Sequence, residues 1–315
     1  MKYWLMTVLG VLFNASIHAQ PLYQDDTLKA ELVSQFTGVI WGLSVLNDSE
    51  AVITLRKGQA FHVNVNTGQQ TALSGLPNIA TRGQGGLLDV AASPDFDTTH
   101  WLYFTYSKPT SYGAAVTLAR AKLMGTHLTD WEDLIITQSA SSSGQHFGSR
   151  IALDEQGYLY FGIGDRGERP NGQNLSNHAG SILRLHLDGR IPSDNPFVEQ
   201  ANAQAAIWSY GHRNPQGLFF DTNTQTLWSN EHGPRGGDEI NQIKPGANYG
   251  WPIVSHGKEY WGPISVGDGT EKAGIEPPLK VFIPSIAPSS LHVYQGQLFK
   301  DWQGGAHGKR LGGWV

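Results

Sequence analysis

A repeating unit of strand, polar turn and strand runs along most of the chain and constrains its fold more than any other feature. Copies lie at residues 40–55, 87–106, 149–162 and 217–230, and a fifth begins near Ser290. Apolar residues alternate in the strands, and Asp, Asn or Gly fill the turns, which is typical of β-hairpins. Starts about 45–75 residues apart match four-stranded propeller blades with inserted loops. The sequence therefore predicts an all-β propeller of four-stranded antiparallel blades.

The composition agrees with this fold and excludes several classes of function. Glycine supplies 38 of 315 residues, and aromatic residues make up 10%, enough to build a core and to exclude intrinsic disorder. The formal net charge is −5, so no cationic excess is available for a nucleic acid partner. Cysteine is absent, so disulfides and cysteine nucleophiles are excluded. The sequence contains neither a G-x-S-x-G elbow nor a Walker loop, which argues against acyl and phosphoryl transfer.

The first 19 residues have the pattern of a secretory signal peptide. Lys2 supplies the positive charge, residues 5–13 the apolar stretch, and residues 16–19 a small-residue exit that ends at Ala19. The apolar stretch is too short to span a bilayer, so we expect cleavage and no membrane span afterwards. Residues 20–315 are then one propeller domain, and the expected location is periplasmic or secreted.

Residues 162–167 formally match the dinucleotide-binding pattern G-x-G-x-x-G after a strand. That type of site needs a helix directly afterwards, whose N-terminus holds the pyrophosphate. Pro170 and Gly172 follow instead and break any such helix. We therefore interpret the glycines as shaping a loop at the end of a blade.

Two polar stretches precede the third and fourth repeats and so fall at the same rim of a propeller. His146 lies in the first, where it either accepts a proton from a substrate hydroxyl or forms a structural hydrogen bond in the channel. Arg213 and Asn214 lie in the second, where a guanidinium and an amide suit a flat, multiply anionic molecule. The alternative for Arg213 is to cap carbonyl groups of its own loop.

A turn containing His232, Gly233 and Pro234 leads to the acidic pair Asp238 and Glu239. No zinc-ligand spacing is present. Backbone carbonyls and carboxylates are hard oxygen ligands that suit calcium. A solvated acidic turn without a metal is the alternative interpretation.

Taken together, these stretches resemble the glucose/sorbosone dehydrogenase family, the soluble aldose sugar dehydrogenases that use pyrroloquinoline quinone (PQQ). The resemblance runs from about Val33 to about Trp302. It rests on residues 82–89, 145–150, 207–217 and 230–252, which occur in the order of the family motifs.

The resemblance implies a six-bladed propeller that oxidises an aldose at C1 to the lactone. His146 would be the catalytic base for the C1 hydroxyl, and the C1 hydride would pass to PQQ. Gln84 and Gln145 would line the cofactor and substrate pocket, and Arg213 and Asn214 would contact PQQ. An electron acceptor that the sequence does not identify would reoxidise the cofactor.

The resemblance also implies two calcium sites. The main-chain carbonyls of Gly233 and Pro234 would bind the calcium that sits on PQQ. Glu239 and Tyr249 would belong to a second, structural calcium site. Arg166 departs from the family pattern, because some members have an amide there that faces the cofactor.

The end of the chain departs further from the family. The stretch after Gln303 shows no strand alternation, and the family continues with the rest of a fifth blade and a sixth. We therefore expect the last one to two blades to be missing and the chain to be truncated at its C-terminus. Two alternatives to an active enzyme follow: an inactive truncated fragment, or a non-redox propeller that binds sugars or hydrolyses lactones.

Overall fold

Four antiparallel sheets of four strands make up residues 31–302, the part of the chain that this computed structural model describes. Each sheet is built in chain order, so every strand pairs with the one before it. The strands are β1 (Ile40–Asn47), β2 (Glu50–Leu55), β3 (Gln59–Asn64), β4 (Gln70–Ala72), β5 (Leu87–Ala92), β6 (Trp101–Thr110), β7 (Gly113–Met124), β8 (His127–Ile136), β9 (Ile151–Leu153), β10 (Tyr158–Ile163), β11 (Ser181–His186), β12 (Ile207–Tyr210), β13 (Pro215–Asp221), β14 (Thr226–Glu231), β15 (Asp238–Ile243) and β16 (Lys280–Phe282). A short helix, α1 (Phe96–Thr99), precedes β6, and two 3-10 helices occupy Arg169–Gln173 and Lys300–Trp302.

The first strands of successive sheets lie side by side. β1 contacts β5, β5 contacts β9, and β9 contacts β13. The first strand of each sheet is therefore its inner strand, and the sheets radiate outward as propeller blades. This confirms an all-β propeller with four-stranded antiparallel blades. Four blades lie within residues 31–302, so the total of six and the missing blades remain predictions.

The predicted signal peptide, residues 1–19, lies outside the described residues, as does the tail after Trp302. No helix between residues 31 and 302 has the length and apolar character needed to cross a membrane.

Burial along the strands departs from the expected alternation. Every residue after the first is buried in β2, β10 and β14. In one core cluster, Leu88 of the second blade packs with Phe161 and Leu183 of the third. Both faces of a blade are covered by its neighbours, so its second strand has no solvent face. Period-two spacing thus locates these strands but does not mark an exposed side.

The fifth repeat does not form its expected strand within the described residues. Residues 290–294 have no assigned strand or helix. Val293 is 3% exposed and packs against Trp228 and Ile240 of the fourth blade. The side-chain amide of Asn230 donates to the Ser290 carbonyl over 2.7 Å. A strand needs a neighbour along its edge, and residues 283–302 contain none.

An ion pair between the buried Asp89 and the half-buried Arg150 joins the blades at the inner strands. Arg150 Nη1 lies 2.7 Å from Asp89 Oδ1, and the other carboxylate oxygen of Asp89 accepts the Ile151 N–H over 2.8 Å. The guanidinium lies 4.5 Å from the ring centre of Trp41 and donates to the Gln216 carbonyl over 3.2 Å. Trp41 belongs to β1, Asp89 to β5 and Gln216 to β13. One arginine therefore contacts the inner strands of three other blades.

We predict that Arg150→Met lowers the free energy of unfolding by about 3–5 kcal/mol, because it leaves the Asp89 carboxylate buried without its partner. Urea denaturation followed by circular dichroism measures the change. Arg190→Met is the matched control, since it breaks the exposed pair with Asp188 and should change stability little. Equal effects of the two substitutions would contradict the importance of the inner pair.

Candidate active site

His146 and Asp165 form a hydrogen-bonded pair at one end of the third blade. The distance between His146 Nδ1 and Asp165 Oδ1 is 2.6 Å. Asp165 is 1% exposed, and its second oxygen accepts the indole N–H of Trp251 over 2.7 Å. An ionised carboxylate only accepts hydrogen bonds, so Nδ1 carries the ring proton and Nε2 keeps its lone pair. Nε2 is therefore the atom of this pair that can act as a base.

The residues that follow β10 place this pair next to the loop that leads into the fourth blade. Gly164 follows the strand, and a Cβ at this position would lie 2.4 Å from the His146 carbonyl oxygen. Only glycine allows the strand end to approach the His146 loop so closely. The Asp165 N–H donates to the Arg213 carbonyl over 2.8 Å. Asp165 was not among the predicted site residues, although an acid two residues after a buried strand pointed to it.

The two predicted pocket glutamines lie beside His146 but in different roles. Gln84 Oε1 accepts the backbone N–H of His146 over 2.7 Å. The Gln84 N–H donates to the Gly144 carbonyl over 2.8 Å, which joins the two loops. Gln145 is exposed next to His146. Gln84 thus contacts the backbone that carries the candidate base.

Arg213 is buried, and the N–H group at its Nε is free of hydrogen bonds in the described structure. Its backbone N–H donates to Glu231 Oε2 over 2.7 Å. Its guanidinium donates to the His232 carbonyl over 3.1 Å and to Tyr260 Oη over 3.2 Å, and it lies 5.4 Å from the Trp251 ring centre. Nε is buried and has no partner within the described residues. A buried donor without a partner is costly, so this nitrogen suits a ligand oxygen.

The side-chain oxygen of Asn214 supports the loop after His146. It accepts the Gly148 N–H over 3.2 Å and the Gln216 side-chain amide over 2.9 Å. The Asn214 main-chain oxygen accepts the His232 N–H over 3.2 Å. Asn214 thus links the loops that carry His146 and His232.

The turn after β14 is held on both sides. The Gly233 N–H donates to Asp238 Oδ1 over 3.0 Å, and Asp238 Oδ2 accepts the Ala287 N–H over 2.8 Å. The Pro234 carbonyl accepts the Lys258 N–H over 2.9 Å. A carbonyl oxygen has two lone pairs, so the Pro234 oxygen retains capacity for a cation.

The structure brings most of the predicted residues to one end of the blades. Five of them line one cleft: Arg213, Gly233, Pro234, Glu239 and Tyr249. His146 adjoins this cleft through Asp165, which bonds to Trp251 in the cleft wall. Burial lowers the pKa of His232 in the same wall, although a hydrogen bond to the Pro288 carbonyl opposes this shift.

Two carboxylates face each other in this cleft. The side-chain amide of Asn241 lies 3.3 Å from Glu231 Oε1 and 3.3 Å from Glu239 Oε2. Burial raises the pKa of Glu239 to about 8, and the charge of Glu231 adds to the shift. Asn241 Oδ1 is buried without a partner in the described structure. Paired carboxylates beside an unused amide oxygen are chemically suited to a hard cation.

The Tyr249 hydroxyl is already engaged. It donates to the Gln242 carbonyl over 2.6 Å and accepts the Lys244 N–H over 2.8 Å. The main-chain oxygen of Tyr249 accepts no backbone hydrogen bond within residues 31–302, so it is the more available oxygen of this residue for a cation. No group of three or more His, Cys, Asp and Glu side chains suited to a metal occurs within residues 31–302. A cation at Glu231 and Glu239 would rely on main-chain oxygens as well.

The fold and the site are those of a β-propeller with a His–Asp pair beside a buried arginine, and comparisons with known proteins define the family. The sequence profile of the glucose/sorbosone dehydrogenase family matches residues 38–308. The chain belongs to this family. Its relatives are aldose and glucose dehydrogenases, so the chain is an oxidoreductase.

Individual relatives agree with this assignment. Aldose sugar dehydrogenase YliI of Escherichia coli is 39% identical over 282 residues, covering 88% of this chain and 76% of the relative. The apo structure of the soluble Escherichia coli aldose sugar dehydrogenase superposes with a TM-score of 0.84 at 37% identity, covering 87% of this chain and 80% of that one. The PQQ-bound aldose sugar dehydrogenase of Streptomyces coelicolor gives a TM-score of 0.66 at 29% identity, covering 80% and 70%.

We predict opposite effects of Glu239→Gln without and with calcium. At pH 9 the Glu239 carboxylate is mostly ionised, because its pKa of about 8 still lies below that pH. Without calcium, the substitution should raise the melting temperature by removing the repulsion from Glu231. Saturating calcium should raise the melting temperature of the unsubstituted protein by a few degrees and that of the variant much less.

Differential scanning fluorimetry with calcium or a chelator measures both effects. Glu271→Gln is the control, because this exposed side chain lines a cavity together with Glu239 but takes no part in the Asn241 hydrogen bonds that join the carboxylate pair. It should respond to calcium as the unsubstituted protein does. Equal calcium responses of Glu239→Gln and Glu271→Gln would exclude a cation site at Glu239.

Proposed function

We infer that this protein oxidises aldose sugars at C1 to the lactone, with PQQ and calcium as bound cofactors. The observation that carries the proposal is the His146–Asp165 pair at 2.6 Å beside the cleft that Arg213 lines. Membership of the glucose/sorbosone dehydrogenase family supports the reaction class. The PQQ-bound relative from Streptomyces coelicolor supports the choice of cofactor.

His146 acts as the general base in this proposal. Its Nε2 accepts the proton of the C1 hydroxyl, and the imidazolium that forms is stabilised by the Asp165 carboxylate. Trp251 and the backbone N–H of Gly167 keep this carboxylate in place over 2.7 Å each. When bound, PQQ would supply the acceptor for the hydride that leaves C1 with the two electrons of its C–H bond.

Arg213 and Asn214 bind the cofactor in this proposal. PQQ is flat and carries several carboxylates, so it matches the planar cation and free Nε of Arg213. The charge of Arg213 also favours negative charge that develops next to it during reaction. Gln84 and Gln145 remain the proposed lining on the His146 side.

The Gly233 and Pro234 carbonyls are the proposed ligands of a calcium beside the cofactor, where the cation would polarise a carbonyl oxygen. Glu239 and the Tyr249 main-chain oxygen are proposed for a second calcium. The orphaned Asn241 oxygen and the raised pKa of Glu239 support a cation there.

The signal-peptide pattern of residues 1–19 supports a periplasmic or secreted location. A separate electron acceptor is needed to complete each turnover, and we leave its identity open.

The proposal is tested by adding PQQ and calcium to the purified 315-residue protein, then an aldose and a dye acceptor. We expect cofactor uptake in the absorption spectrum, cofactor bleaching on sugar addition, and dye reduction. His146→Asn should bind PQQ yet lose dye reduction by at least about 100-fold, because no base takes the hydroxyl proton. His127→Asn, at an exposed histidine of the second blade, is the control. Sugar-lactone hydrolysis without PQQ would instead favour the non-redox propeller.

We predict that Asp165→Asn lowers kcat on the order of 10²–10⁴-fold. An asparagine can donate to Nδ1, which moves the ring proton to Nε2 and removes the basic lone pair from the cleft. Steady-state kinetics and a PQQ titration separate this effect from lost cofactor binding. Unchanged kcat would show that Asp165 does not set the histidine tautomer.

A further inference from the structure

One peptide group next to His146 is held at both ends. Its N–H belongs to His146 and donates to Gln84 Oε1 over 2.7 Å. Its carbonyl belongs to Gln145 and accepts a hydrogen bond from Arg166 Nη1. A peptide group is planar and rigid. Fixing both ends therefore fixes the orientation of the plane from which the His146 side chain projects.

His146 needs such support because its backbone is in an unfavourable region. Its φ is +50°, the left-handed region that residues other than glycine rarely adopt. Such conformations persist only where the surrounding structure imposes them. If the Gln145–His146 peptide rotated, the imidazole would move relative to Asp165. The two hydrogen bonds on this peptide thus act on the direction of the imidazole.

Arg166 is placed to shape this loop and little else. It is 1% exposed, although it is a cation. Besides Gln145, it donates to the carbonyls of Ser139 over 3.3 Å, Ser143 over 3.2 Å and Ala114 over 3.4 Å. Within the described chain none of its hydrogen bonds goes to a side chain. A buried guanidinium that serves only carbonyl groups organises the backbone around it.

The ring of Phe147 packs against the guanidinium of Arg166. The guanidinium carbon lies 3.5 Å from the centre of this ring. A Cβ on Gly85 would lie 2.6 Å from Phe147 Cζ, so the ring also packs directly on the Gln84 loop. Arg166, Phe147 and the Gln84 loop therefore form one continuous support around His146.

We propose that Arg166 is a positioning residue that, together with Gln84, clamps the Gln145–His146 peptide and so aims the imidazole at the cleft with Nδ1 on Asp165. The inference deepens the proposed function, on which the catalytic role of His146 rests. It also gives Arg166 a role that does not require contact with the cofactor.

The first test needs neither cofactor nor substrate. In the protein without PQQ, the His146 Nδ1 proton should give a far-downfield NMR resonance, assigned by its loss in His146→Asn. Arg166→Met keeps a long side chain over Phe147 but removes every donor, and Gln84→Met removes the acceptor. Both should abolish or shift this resonance.

Arg184→Met is the matched control. Arg184 is also buried, lies 4.1 Å from the Trp208 ring centre and bonds to Asn195 over 2.7 Å, away from His146. Its loss should lower thermal stability as Arg166→Met does but leave the His146 resonance unchanged. An unchanged resonance in Arg166→Met, or the same change in Arg184→Met, would overturn the clamp.

The second test uses the protein loaded with PQQ and calcium. Misplacement of a reacting group by about 1 Å costs roughly 100-fold in rate, so Arg166→Met should lower kcat by that order. The dissociation constant of PQQ should change less than about threefold, since Arg166 does not line the cleft. A parallel loss of PQQ affinity would contradict a positioning role.

Rescue provides the third readout. Arg166→Ala leaves a cavity the size of a guanidinium, and millimolar guanidinium should restore part of kcat and the His146 resonance. Equal concentrations of sodium chloride should not. Absence of rescue of the resonance would count against the clamp.

If the unsubstituted protein oxidises no aldose, the proposed function fails, while the resonance still decides the clamp.

Discussion

The ion pair between the buried Asp89 carboxylate and the half-buried Arg150 guanidinium is the interaction that ties the inner strands of the four blades together. It joins β5 to the start of β9, while the same guanidinium contacts Trp41 of β1 and the Gln216 carbonyl of β13. Burying a charge pair stabilises a fold only when both partners stay matched. The loop that carries His146 ends at this arginine. The contacts of Arg150 with the inner strands therefore anchor one end of that loop.

The candidate site is organised around one carboxylate. Asp165 accepts from His146 and from Trp251, and its backbone N–H donates to the Arg213 carbonyl. It thereby joins the proposed base to the residue proposed to bind the cofactor. Because Asp165 is buried, these hydrogen bonds form in a low-dielectric setting where their geometry is costly to change. The support from Gln84 and Arg166 acts on the same histidine through its backbone.

The blades were predictable because hairpin alternation and turn residues are local properties of the chain. His146, Arg213 and the Gly233–Pro234 turn were predictable as site candidates, since polar residues beside strand ends fall at one rim. The residues that hydrogen-bond to these candidates were not predictable. Arg166 lies in a glycine-rich loop, a composition typical of exposed loops. Only the packing of neighbouring loops buries its side chain. The strand expected near Ser290 failed because pairing depends on a neighbour, which alternation within one segment does not supply.

By itself, the sequence determined the strand–turn–strand units that open the four blades, and it pointed to the family to which the chain belongs. Only the tertiary structure decided which polar side chains meet. Asp165 is 19 residues from His146 and 86 from Trp251 along the chain, yet it bonds to both. The physical reason is that strand formation follows from nearest neighbours in sequence, whereas a buried carboxylate takes its partners from whichever loops the packing of the blades brings within hydrogen-bond distance.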